Sequence, residues 1–188
     1  MRLFIALPLP GRVEDYLGEI IFDLKQHRGK VKWVAHTNIH LTAKFLGDTD
    51  ESLVESIREA ITAVANGFQP INCTIDKIGG FPNLRRPRVI WAGLTGEIDR
   101  LAEISSAMEE KAATLGFAKE NKKFKPHLTL GRVKDDRSLG QLVPFIESYE
   151  VTPIEVLFDR LVLFKSTLTP AGPIYERLHE ASIADRFG

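Results

Sequence analysis

Cysteine is nearly missing from this chain: Cys73 is the only one in 188 residues, which excludes an internal disulfide and any cysteine-built metal cluster. It lies in the alternating, strand-like segment "INCTIDKI" and is expected to be a buried, inert thiol. Net charge is absent as well, because 25 Lys and Arg cancel 25 Asp and Glu. No global field gathers nucleic acid or membrane, so an anionic ligand has to be held by local charge. No apolar run approaches the roughly 18 residues that cross a bilayer. The opening "MRLFIALPLP" is short, broken by prolines and without a small-residue cleavage site, so it reads as a first β-strand rather than a signal sequence. The default expectation is a reduced, cytoplasmic setting. Neither a GxxxxGK[ST] phosphate loop nor a dinucleotide fingerprint occurs, and nucleotide-driven or redox chemistry finds no support.

What is present is an alternation of helical and strand-like segments. Strand-like runs are "RLFIALPL", "VKWVA", "IHLTAKFLG", "INCTIDKI", "RVIWAGL", "HLTLGRV", "IEVLFDRLVLFKS" and "IYERLHEASI". Val13, Leu17, Ile20, Ile21 and Leu24 fall at helical spacing, as do Leu53, Ile57, Ile61 and Val64 after the cap-rich "DTDES". Ile98, Leu101, Ala102, Met108, Ala112 and Leu115 form a third stripe ended by Gly116, and residues 138–148 a weaker fourth containing Pro144. The order reads strand, helix, strand, strand, helix, strand, strand, helix, and then a similar set. This predicts an α+β fold, mostly antiparallel sheets with helices packed outside. No Gly/Ser linker divides the chain, so residues 1–188 are expected to form one compact domain of two lobes.

Two segments repeat a motif. "NIHLTAKFLGD" (38–48) and "KPHLTLGRVKD" (125–135) both place His-Leu-Thr in an apolar run, suggesting a duplication with one copy in each half. Alternate strand residues share a face, so His40 and Thr42 project together over Leu41, and His127 and Thr129 over Leu128 and Leu130. A facing pair of such strands offers two imidazoles and two hydroxyls to one ligand. Imidazoles titrate near pH 6.5 and suit a general acid and a general base, each contributing roughly 10²–10⁴-fold. Threonine hydroxyls suit the non-bridging oxygens of a phosphate. Metal-free phosphodiester hydrolysis fits that set. Two histidines without a Cys or carboxylate partner fall short of a zinc site, so no metal and no cofactor is expected.

With those flanks, the two motifs resemble the paired HxTx signatures of the 2H phosphoesterases, most closely the RNA 2′,3′-cyclic phosphodiesterase (2′-5′ RNA ligase) branch. The resemblance also takes in "MRLFIALPLP", "GGFPNLRRPRVIWAGL" and a terminal strand pair, nearly the whole chain. It implies a bilobal, pseudo-duplicated fold with a central cleft. It also implies opening of a 2′,3′-cyclic phosphate at an RNA end, tRNA fragments included, to a 2′-phosphomonoester. By carry-over His40 is the proton donor and His127 the proton acceptor, with Thr42 and Thr129 on the phosphate. Sequence chemistry alone leaves acid and base interchangeable. Ligation of 2′-5′ ends is implied as a side activity, by a protein expected to be monomeric and off the membrane.

Arg132 is a candidate phosphate ligand, although strict alternation puts it opposite His127 unless Gly131 supplies a bulge. Phe45 has the parity of a core residue, and Lys44 that of His40, at the cleft rim. Asp48, Asp50, Asp135 and Asp136 read as turn and cap residues. Phe81 with Arg85, Arg86 and Arg88 forms the best local basic and aromatic patch for RNA. Trp33 is expected in the core, and His27, His36 and His179 as surface or locally hydrogen-bonded residues. The alternatives are a non-catalytic RNA-end or phosphate binder and a 2H enzyme acting on small cyclic nucleotides.

Overall fold

The computed structural model of the chain describes residues 1–185. Thirteen regular elements follow one another among them: β1 (Arg2–Pro8), α1 (Gly11–Lys25), β2 (Lys30–Trp33), β3 (His40–Asp48), α2 (Val54–Ala65), β4 (Ile71–Phe81), β5 (Val89–Gly96), α3 (Ile98–Thr114), β6 (His127–Asp135), α4 (Leu142–Ser148), β7 (Ile154–Phe158), β8 (Arg160–Thr169) and β9 (Gly172–Ser182). The strands form two antiparallel sheets, a four-stranded one in the order β3-β1-β8-β9 and a five-stranded one in the order β2-β6-β5-β4-β7. The fold is α+β, as the periodicities predict. The chain visits the four-stranded sheet with β1 and β3 and returns to it only with β8 and β9. One hydrophobic core nevertheless runs through both sheets, from Leu3, Ile5 and Leu7 to Ile75, Ile90 and Leu128.

The helices form where the apolar stripes require. Val13, Leu17, Ile20, Ile21 and Leu24 of α1 are all buried, each contributing about 1.5–3 kcal/mol relative to exposure. Asp50 caps the turn leading into α2: its Oδ1 accepts from Ser52 N at 2.8 Å and from Ser52 Oγ at 2.7 Å. Asp135 similarly accepts from Arg137 N at 3.1 Å. Helix α4 is shorter than the stripe over 138–148, and Pro144 sits in its first turn, where no intrahelical N–H bond is lost.

Two expectations need correction. The second set opens like the first, with β6, α4, β7 and β8, but it is shorter and closes on the strand β9 where the first continues with a helix. "IEVLFDRLVLFKS" is two strands rather than one, broken at Asp159, with β7 on the edge of the five-stranded sheet and β8 inside the four-stranded one. The Asp159 carbonyl accepts from Ile183 N at 2.7 Å and its carboxylate from Arg160 Nε at 2.9 Å, which satisfies the crossing. Burial of Leu161, Val162, Leu163 and Phe164 on both faces of β8 hides the break, because it removes the alternation that marks a strand's ends.

Candidate active site

β3 and β6 belong to different sheets, and their Cα atoms approach within 8 Å. Each carries one of the two motifs, and each has the same irregularity. On β3, Thr42 pairs with Ala6 and Lys44 with Ile5, so Ala43 has no partner. On β6, Thr129 pairs with Trp91 and Gly131 with Ile90, so Leu130 has none. A one-residue bulge inverts the alternation beyond it. Phe45 therefore shares the face of His40 and Thr42, opposite Phe4, and Arg132 shares that of His127 and Thr129, opposite Val89.

This overturns two expectations for the first motif. Phe45 is no core residue but 57% exposed, whereas Lys44 turns inward and is only 6% exposed. Arg132 does face the side of His127, and the extra residue that brings it there is Leu130 rather than Gly131. Helix α3 holds the first bulge: Ser105 Oγ donates to the Ala43 carbonyl at 2.9 Å. One turn on, Glu109 pairs with Lys44 Nζ at 2.8 Å. Lys44 also donates to the Ala118 carbonyl at 2.7 Å, and the same Glu109 oxygen accepts from Glu120 N at 3.2 Å. A buried ion pair thus fastens the His40 strand to the segment that runs into β6.

The imidazoles are anchored alike. His40 Nδ1–H donates to the Asn38 carbonyl at 2.8 Å, and His127 Nδ1–H to the Lys125 carbonyl at 2.6 Å, in each case two residues back. Carbonyls only accept, so these bonds select the tautomer that leaves Nε2 for a ligand. Asn38 is itself fixed through Nδ2, which donates to the Pro173 carbonyl at the start of β9 at 3.1 Å. His40 stacks on Phe4 with ring centroids 4.8 Å apart and meets Tyr175 edge-on at 5.5 Å. These rings belong to a small second cluster of Phe4, Ala6, Val162 and Phe164 with Tyr175 beside it. His127 meets Phe81 edge-on at 5.0 Å, and Phe81 in turn tilts against Trp91 at 5.1 Å.

These surroundings set the electrostatics. Burial pushes His40 down from 6.5 to about 4, only partly opposed by the Asn38 carbonyl. Burial likewise lowers His127, with the Lys125 carbonyl opposing and the Arg132 charge adding to the fall. Both rings are neutral at pH 7 without a ligand. Burial raises Tyr175, and Arg132 and Arg2 oppose that rise. Arg132 thus acts on a ring in contact with His40 as well as on His127, so the two motifs share one electrostatic environment. Among the described residues, neither the Thr42 nor the Thr129 hydroxyl has a protein partner, and no three His, Cys, Asp or Glu side chains converge as a metal-ligating group.

The other sequence-derived residues fall as follows. Asn83 Oδ1 holds the "NLRR" turn by accepting from Arg85 N and Arg86 N at 3.0 and 3.1 Å, and Arg86 lies 3.8 Å from Asp136. Phe81 is drawn to His127, with Lys125 Nζ 5.7 Å above its ring. Cys73 is buried, its thiol pushed up to about 11 chiefly by desolvation. Trp33 packs partly buried against the main core. His27 stacks on Phe145, His36 lies 3.9 Å from Asp15, and His179 Nε2 is 2.9 Å from Thr62 Oγ1. Sequence reasoning missed Asn38, Lys125, Phe4, Phe164, Trp91 and Tyr175. Carbonyl partners leave no trace in residue type, and the rings look like ordinary core. Phe45 could have been found: it has the same offset from His40 that Arg132 has from His127.

Two antiparallel sheets, each carrying one His-x-Thr strand, are the pattern of the two-histidine class of phosphoesterases. The model of the family described as "2′-5′ RNA ligase superfamily" matches residues 13–169, and the chain belongs to that superfamily. It is 37% identical over 180 residues to the RNA 2′,3′-cyclic phosphodiesterase of Thermotoga maritima, spanning 96% of this chain and 94% of that one. To the protein of the same name from Methanocaldococcus jannaschii it is 38% identical over 181 residues, spanning 96% and 99%. The crystal structure of a Thermus thermophilus protein superposes with a TM-score of 0.80 at 28% identity, covering 99% of this chain and 100% of the other.

Proposed function

We propose that the chain hydrolyses 2′,3′-cyclic phosphate ends of RNA to 2′-phosphomonoesters, with His127 as base, His40 as acid and no metal. Nε2 of His127 takes a proton from water, whose oxygen bonds to phosphorus. The P–O3′ bond breaks, and Nε2–H of His40 gives its proton to the departing 3′ oxygen. Which ring is the acid follows the family resemblance. The observation that carries the reading is the matched anchoring: two imidazoles on bulged strands, one in each sheet, each with Nδ1 tied to the carbonyl two residues back and Nε2 left over. The Thr42 and Thr129 hydroxyls and the Arg132 guanidinium are available donors for the phosphate oxygens. The acid must carry a proton that apolar surroundings disfavour. The bound phosphodiester anion supplies the missing stabilisation, since an opposite charge within about 4–6 Å favours the charged imidazole.

Phe81 and exposed Phe45 offer ring faces to a base, and Arg85, Arg86 and Arg88 lie along the loop that follows Phe81. The natural substrates are RNA ends such as those of tRNA fragments. Ligation of 2′-5′ ends, the reverse of a related transesterification, is a side activity. The protein works as a monomer in the cytoplasm, its two lobes acting as one domain; no helix among the described residues is long and apolar enough to cross a membrane.

The test is incubation with RNA bearing a 2′,3′-cyclic phosphate end, with the product identified as the 2′- or 3′-monoester. A 2′-monoester is expected, with rates falling roughly 10²–10⁴-fold in His40→Ala and in His127→Ala. Undiminished hydrolysis in either variant refutes the acid–base pair. Binding of RNA ends without turnover by the unmodified protein establishes a binder, and turnover confined to small cyclic nucleotides establishes the other 2H activity. Activity is expected to survive exhaustive chelation; strict dependence on an added divalent ion overturns the metal-free reading.

A further inference from the structure

Lys32 stands directly opposite Arg132 in the antiparallel β2–β6 pair. Directly opposed residues project from one face with Cβ atoms about 5 Å apart. The Leu130 bulge puts Arg132 on the face of His127 and Thr129, so Lys32 shares that face. Both side chains are exposed. Among the described residues neither has a carboxylate partner, because the nearby acids are engaged elsewhere: Asp135 lies 3.7 Å from Lys30, and Asp136 lies 3.8 Å from Arg86. Like charges directly opposite destabilise a strand pair. A chain with as many acids as bases has left these two cations adjacent and unopposed beside its candidate site.

One cyclic phosphate carries one negative charge and occupies Arg132 and the threonines. A second anion is needed to offset the second cation. We propose that Lys32 binds the phosphodiester on the 5′ side of the terminal nucleotide, making a second phosphate subsite one step from the Arg132 subsite. This rests on reading the cleft as a site for RNA ends. The spacing fits: a strand advances about 3.4 Å per nucleotide when stacked and further when extended, comparable with the cross-strand step. A flexible lysine covers the remainder as a mobile point charge. The direction fits as well. β2 is the outer strand of its sheet, so Lys32 lies on the side of Arg132 away from Trp91 and Phe81. The RNA chain leaves the cleft across the β2 edge, with its terminal nucleotide over β6 and β5.

The experiment compares an oligonucleotide ending in a 2′,3′-cyclic phosphate with a nucleoside 2′,3′-cyclic phosphate, which has no 5′ phosphodiester. In Lys32→Ala the ratio of the two kcat/KM values is expected to fall about five- to tenfold, through KM of the oligonucleotide. Its dependence of log(kcat/KM) on log[salt] should flatten by about 0.7, the contribution of one single-strand phosphate contact. Lys32→Arg should keep both. An unchanged ratio, including one produced by equal losses on both substrates, overturns the second subsite. If the unmodified protein turns over neither substrate, the proposed function falls by itself. The same comparison is then made by equilibrium binding of an oligonucleotide ending in a 2′-phosphate and of a nucleoside 2′-monophosphate, where an unchanged affinity ratio in Lys32→Ala overturns the subsite.

Discussion

Phe45 and Arg132 hold equivalent places in two different sheets: each follows its histidine by five residues and is turned onto that histidine's face by a bulge, at Ala43 and at Leu130. Equivalent position carries opposite chemistry. Phe45 lies beside Phe4 with ring centroids 5.8 Å apart, extending the aromatic surroundings of His40. Arg132 brings a cation to His127 and stands next to Lys32. The first motif is thus flanked by aromatic rings and the second by cations. A nucleotide end, with a flat base and an anionic phosphate, has the same division.

The pH dependence should separate free enzyme from complex. Both imidazoles lie below 6.5 in the free protein, His40 at about 4. The kcat/KM profile, which reports the free enzyme, should be a bell with its maximum on the acid side of neutrality. The bound anion raises both imidazoles, so the limbs of kcat should lie at higher pH than those of kcat/KM. Steady-state rates across the range from acid to mildly alkaline pH check this; limbs of kcat coinciding with those of kcat/KM would show that the anion does not touch the rings.

Arg132→Ala should lower kcat/KM about 10–100-fold, the worth of a charge-assisted hydrogen bond of roughly 1.5–3 kcal/mol. It should also move His127 upward toward 6.5, because the guanidinium is one of the groups that lower it. Titration of the His127 ring by NMR in the free protein reads the shift. Arg132→Lys should restore that titration more fully than it restores the rate, since lysine keeps the charge and loses the planar fork.

Lys44→Ala should cost about 3–5 kcal/mol, because it strands the carboxylate of Glu109 in a mostly buried place. The double replacement Lys44→Met with Glu109→Leu should recover most of that loss, as apolar pairs of similar size do. Urea midpoints at constant m-value give both numbers. A loss below about 1 kcal/mol in the single variant would show the pair to be no stronger than a surface ion pair.

His40 should also mark the stability of the fold. Its folded-state pKa of about 4 lies below the unfolded value of 6.5, so the unfolded chain binds more protons between those limits. Stability is complete above about pH 6.5 and falls as the pH drops toward 4, by about 3 kcal/mol from this group. His40→Gln should flatten that part of the pH–stability curve. An unchanged slope would place His40 in water rather than against Phe4, Phe164 and Tyr175.

Local spacing carried much of this molecule. The α1 stripe from Val13 to Leu24, the Asp50 cap, the buried Cys73 and the joint projection of His40 with Thr42 and of His127 with Thr129 each depend on residues a few positions apart, whose geometry the backbone repeat settles. The four helices and the α+β class follow from the same periodicities. The first eight elements ran in the order the spacing predicts and the second set began alike; β7 and β8 read as one strand because β8 is buried on both faces and hides its own boundary.

Tertiary structure alone decided the rest. A bulge is a mismatch between two strands, so Ala43 and Leu130 become bulges only when β1 and β5 pair beside them, and only then do Phe45 and Arg132 turn toward the histidines while Lys44 turns away. The Nδ1 anchors use carbonyls that every residue possesses. The depressed pKa of His40 comes from Phe4 and Tyr175, rings 36 residues before it and 135 after it in the chain. Side-chain type and spacing are written along the chain, but registry and desolvation exist only between its segments.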